Sequence, residues 1–160
     1  MTSSSFKIRA MADGEAEEVL DLFRSRPEHF SRGTEGAVRN NMRPHSGFQY
    51  LVAHDGAAVA GCVIWSHGLY DASIDWILTA GGKERRGIAR ALIDHVIGLM
   101  RAGGLHHLQV KTAPLVPGEA ADPYFAAHAL YRACGFLEIA TLPKYWPSGE
   151  DAILFMKRVG

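Results

Sequence analysis

Five charged residues, Lys83, Glu84, Arg85, Arg86 and Arg90, crowd one short stretch of the chain. A strand-like run, Ser73 to Thr79, leads into it and a helical run leads out. A helix start carries about half a positive charge and unpaired N–H groups, so acidic side chains are its expected occupants. Here four cations stand beside one carboxylate. Two readings stay open. One is a solvated basic turn, screened by salt and partly compensated by Glu84. The other is an anion, a phosphate above all, seated against the helix start and held by backbone N–H groups and flanking arginines. Gly87 and Ala89 favour the second, because small residues let a phosphate approach the backbone. The stretch is neither a P-loop, since it lacks G-x-x-x-x-G-K-S/T, nor a G-x-G-x-x-G dinucleotide turn.

The remaining chemistry-bearing types are sparse. His106 and His107 are adjacent on a strand-like segment and point to opposite faces, so they cannot chelate together and no metal site is expected. Cys62 and Cys134 are too few for a disulfide framework and read as core thiols.

The elements that must position these residues follow from periodicity. Phe6 to Ala10 reads as a strand. Asp13 is expected to cap a helix carrying Val19, Leu20, Leu22 and Phe23, which ends at Pro27. Ser31 to Pro44 reads as a loop with one weak helical segment. Phe48 to His54 and Ala58 to Trp65 form a hairpin about Asp55-Gly56. The strand Ser73 to Thr79 precedes a helix from about Arg86 to Ala102, with Ile88, Leu92, Val96 and Leu99 on its inner face. Gly103-Gly104 stops that helix. Leu108 to Thr112 alternates as a half-exposed strand, and Tyr124 to Ala133 is helical, with Ala127, Tyr131 and Cys134 on one stripe. Strands Phe136 to Leu142 and Ala152 to Val159 close the chain.

Composition agrees with one α/β domain spanning residues 1–160. At 160 residues a chain buries roughly 70 % of its unfolded surface, so it needs no staple. Its 17 basic residues balance 17 acidic ones, which gives no global pull toward nucleic acid or an anionic membrane. Without an apolar span or a signal-like start it reads as soluble and cytoplasmic.

Arg85-Arg86-Gly87-Ile88-Ala89-Arg90-Ala91-Leu92-Ile93 resembles the acyl-CoA pyrophosphate loop of the GNAT superfamily of N-acetyltransferases, whose pattern is Gln/Arg-x-x-Gly-x-Gly/Ala. Ala129 to Phe136 is similar to that family's second signature, around Leu-Tyr-x-x-x-Gly-Phe. Both lie in the family's order, and the resemblance runs from about Phe48 to Val159. It departs at Glu84, where Gln or Arg is usual, and at Phe125, where many members carry Asn. The Glu84 side chain is expected to turn away or to pair with Arg85 or Arg90.

The resemblance implies a mixed, mostly antiparallel sheet of about seven strands flanked by helices. It also implies acetyl-CoA as co-substrate and direct acetyl transfer to a primary amine of a small molecule or peptide in a ternary complex. Backbone N–H groups from Glu84, Arg85, Arg86, Gly87, Ile88, Ala89 and Arg90 would hold the pyrophosphate. Leu78 and Thr79 would pair with the pantetheine, one of their N–H groups polarising the thioester carbonyl. Tyr131 is the candidate general acid and Asp75 the candidate base, with His67, Asp71, Glu119, Asp122 and His128 as rivals. Strand alternation puts Asp75 on the face of Ser73 and Ile77. The Tyr145-Trp146-Pro147 turn is a candidate wall of the acceptor pocket. A non-catalytic acyl-CoA-binding module is the alternative, and a homodimer stays open.

Overall fold

The computed structural model describes residues 5–27, 30, 33–84, 86–116, 118 and 124–160. Seven strands lie in one sheet: β1 (Lys7–Ala10), β2 (Phe48–His54), β3 (Val59–His67), β4 (Asp71–Thr79), β5 (His107–Thr112), β6 (Leu137–Leu142) and β7 (Ala152–Arg158). Their spatial order is β1-β2-β3-β4-β5-β7-β6. All neighbours run antiparallel except β4 and β5, which are parallel. A parallel pair needs a crossover, and α3 (Ile88–Ala102) supplies it. The mixed sheet flanked by helices is the fold class expected from the motif resemblance. Among the described residues no helix is long and apolar enough to cross a membrane.

Each face of the sheet has its own core. On one face α3 and α4 (Phe125–Ala133) cover Leu51, Val63, Ile74, Leu108 and Phe155. On the other, α1 (Ala16–Arg24) and α2 (Thr34–Asn41) cover Val52, Cys62, Ile64 and Leu78. Buried on both faces, β3 is apolar along most of its length rather than alternating.

Three local expectations need correction. Leu99 is 41 % exposed, while Ile93, Ile97 and Met100 are buried. The buried arc of α3 extends to Ile97, which leaves Leu99 at its margin. Asp13 makes no capping bond. Glu15 does that work instead: its carboxylate accepts the Ala12 N–H at 2.8 Å and two Arg9 N–H groups at 2.6 and 2.9 Å. The third concerns β4. Ile64 faces Trp76 and Trp65 faces Ile74, so Asp75 is an extra residue in the strand, a β-bulge. Beyond it the alternation is reset. Ile77 turns to the α3 face and Trp76 to the α1 face, against Phe23. Asp75 therefore shares a face with Ser73 but not with Ile77.

Candidate functional site

The bulge has a consequence for the next strand pair. β4 and β5 pair from Asp71↔His107 to Ile74↔Val110 and no further. From Asp75 onward the two parallel strands splay apart, and the inner edge of β4 has no ladder partner on that side. Which backbone groups face the opening follows from the β3 side. Ala80 N–H donates to the Ala60 carbonyl at 2.8 Å, so Ala80 and Leu78 spend their backbone groups on β3, and those of Ile77 and Thr79 point into the splay. This corrects the expectation for Leu78. Its backbone belongs to the sheet ladder, and its side chain is buried on the α1 face.

The N-terminus of α3 lies at the end of this opening because β3 lets it approach. A Cβ built on Gly61 would lie 2.8 Å from Ile88 Cγ2 and 2.9 Å from the Leu78 carbonyl oxygen, so only glycine fits there. Gly87 is the N-cap of α3 at φ 75°, a left-handed conformation that favours glycine. No side chain caps the helix, its first turn holds no acid, and the first intrahelical bond is Ala91 N–H to the Gly87 carbonyl. A Cβ at Gly87 would meet open space. The N–H groups of Ile88, Ala89 and Arg90 thus have no intrahelical acceptor and face outward in front of the splay.

The charge cluster is smaller than the sequence suggests. Lys83 forms an ion pair with Asp55 in the β2–β3 turn, and the Ala57 and Ala58 N–H groups hold the same carboxylate. Glu84 turns away from the helix start, as expected, and its partner among the described residues is Arg26 rather than Arg90. Its own backbone N–H and Arg26 hold its carboxyl below the usual range. Arg26 also donates to the Thr79 carbonyl at 3.2 Å. Arg86 and Arg90 stay solvent-facing at the mouth of the site; Arg85 lies outside the described residues.

Asp75 accepts a hydrogen bond from Ser66 Oγ at 2.9 Å. Its carboxyl pKa is raised by partial desolvation, against the opposing pull of Ser66 and of the Lys111 charge, while the residue as a whole stays exposed. Tyr131 projects from α4 with its ring buried between Phe136 and Phe155, at centroid distances of 5.8 and 5.6 Å. Burial pushes its phenol pKa up.

A family model for the acetyltransferase (GNAT) family matches residues 16–136, a span that contains the bulge, the splay, α3 and α4. The chain belongs to the GNAT acetyltransferase family. Solved structures agree on the fold. A GNAT-family protein from Desulfovibrio desulfuricans superposes with a TM-score of 0.81 at 19 % identity, over 97 % of this chain and 99 % of that one. The ribosomal-protein-S18-alanine N-acetyltransferase of Escherichia coli gives 0.77 at 21 %, over 97 % and 94 %. An aminoglycoside 6'-N-acetyltransferase solved with coenzyme A gives 0.77 at 15 %, over 96 % and 97 %. No curated protein sequence matches this one significantly.

Within this GNAT fold the rivals to Asp75 are disposed as follows. His128 is buried, and its Nε2 lies 2.8 Å from the Ala113 carbonyl. That nitrogen must donate, which ties α4 to the end of β5 and leaves Nδ1 as the acceptor. His67 and Asp71 flank the β3–β4 turn, at the far end of β4 from Thr79. Glu119 and Asp122 lie outside the described residues. Among the described residues no three His, Cys, Asp or Glu side chains gather to hold a metal. Arg26 and Ser66 are site neighbours that sequence reasoning missed. Only their contacts, across 53 and 9 positions, reveal them.

Proposed function

We propose that this GNAT protein transfers the acetyl group of acetyl-CoA to a primary amine by direct attack in a ternary complex. The splay between β4 and β5, with the uncapped N-terminus of α3 at its end, carries the reading. The two features match the parts of one ligand: an edge for an extended amide-bearing arm and an anion site for a pyrophosphate. Backbone N–H groups of Gly87, Ile88, Ala89 and Arg90 hold the phosphates, with Arg86 and Arg90 as flanking cations. Ile77 and Thr79 offer their backbone to the arm, and the Thr79 N–H is placed to polarise a carbonyl. When bound, acetyl-CoA supplies the activated acetyl group.

The protein's own part is positioning and proton traffic. Asp75 takes the proton that turns the acceptor ammonium into a free amine and passes it to solvent; the second nitrogen proton, lost once the C–N bond has formed, also goes to solvent. Tyr131 gives its proton to the departing thiolate and regains one from solvent. An amide C–N bond replaces the thioester C–S bond, so atoms and charges balance. Acetyl-CoA should raise the melting temperature, and an amine panel should contain at least one acceptor that releases free thiol. Stabilisation without thiol release on any amine would leave a coenzyme-binding module instead. The absence of both responses would overturn the reading.

A further inference from the structure

Past the last β4–β5 pair, the next residue on one strand is Asp75 and on the other Lys111. Two residues earlier, Gln109 Nε2 donates to Ser73 Oγ at 2.9 Å on the sheet face turned away from α3. Alternation brings Asp75 and Lys111 to that same face, on either side of the mouth of the splay. The two opposite charges do not pair with each other or with any other charged side chain among the described residues. Asp75 is held by Ser66, and the Lys111 ammonium lies over the Tyr145 ring, 5.4 Å from its centroid. They sense each other, since the Lys111 charge pulls the Asp75 carboxyl pKa down. Toward the β3–β4 turn, Ser66, Ser73 and Gln109 line a recess of about 280 Å³ together with His67, Tyr70 and Asp71.

A separated carboxylate and ammonium, each with hydrogen-bonding capacity left over, match the two ends of a zwitterion. We propose that the acceptor is an amino-acid-type small molecule, a primary amine with a carboxylate a few bonds away. Asp75 receives its ammonium and Lys111 its carboxylate. Lys111 then works against polycationic acceptors, whose further amines meet a like charge. The inference rests on the acetyl-transfer reading and names the acceptor class for it.

The test is free thiol release from acetyl-CoA with matched acceptors: amino acids, their carboxamides, and diamines of the same length. The expected result is a preference for the carboxylate over the carboxamide of about ten- to hundredfold in kcat/KM, the size of one charge-assisted hydrogen bond. Lys111→Met should bring that ratio close to one, mainly through KM, and Lys111→Arg should keep it. Lys111→Glu should invert the order in favour of diamines, which a merely structural lysine would not do. If Lys111→Met fails to fold, the wild-type ratio and Lys111→Arg still decide. Equal use of acids and carboxamides by the wild type, or an unchanged ratio in Lys111→Met, overturns the proposal and leaves acetyl transfer standing. Absence of thiol release with every amine, together with no thermal shift by acetyl-CoA, removes both.

Discussion

A phenol that protonates a leaving thiolate must keep its proton until the sulfur departs, and burial holds the Tyr131 proton above the ordinary tyrosine range. The ring is fixed by Phe136 and Phe155, and no described side chain or backbone group hydrogen-bonds the hydroxyl. Tyr131→Phe therefore removes the proton donor while leaving the packing intact. Stability in urea should change by no more than about 0.5 kcal/mol, and acetyl-CoA should shift the melting temperature as before. Turnover with the best amine should fall about a hundredfold or more. An unchanged turnover would dismiss the acid role. The buried position of Tyr131 on α4 was legible in the sequence, because its helical stripe marks it. The partners of Lys83 and Glu84 were not, because Asp55 and Arg26 stand 28 and 58 positions away. A charge cluster read along the chain counts cations that the fold has already spent.

At the scale of elements, the site depends on how closely α3 can approach β4, and Gly61 sets that distance. A methyl there would press on Ile88 and on the Leu78 carbonyl. The backbone oxygen cannot step aside without disturbing the β3–β4 ladder. Gly61→Ala should cost about 1–3 kcal/mol in chemical denaturation. Because the helix start would be pushed off the end of the splay, the melting shift produced by acetyl-CoA should shrink as well. Loss of stability with full retention of that shift would separate Gly61 from the site. The order of strands and helices was legible, because apolar periodicity and glycine stops mark most of it. The bulge was not. One extra residue changes no composition and no local propensity, yet it reverses the facing of every residue after it in β4. Asp75 kept its expected neighbour Ser73 on one side of the bulge and lost Ile77 on the other.

At the scale of the molecule, a net charge of zero describes a set of separate local balances. The exposed ion pairs of Arg24 and Arg39 with Glu17 and Glu35 join α1 to α2 across solvent, where each pair stabilises little. Glu15 differs, because it is buried where the edge strand β1 meets the start of α1. Arg9 and the Ala12 N–H lower its carboxyl pKa from 4.5 to about 2, against the opposing effect of burial. A carboxyl whose folded pKa lies below its unfolded pKa stabilises the fold above the unfolded value. That contribution fades as pH falls through the folded one. The window therefore runs from about pH 4.5 down to about 2. Arg9 is partly solvated, with 37 % of its side chain exposed, and this screens the pair to about 1–2 kcal/mol. Urea denaturation of the wild type should show this amount of stability lost across that window. Glu15→Gln should be less stable by the same amount at pH 7 and should draw level with the wild type near the acid end. A constant gap between the two proteins from pH 7 to pH 2 would mean that Glu15 acts through shape rather than charge.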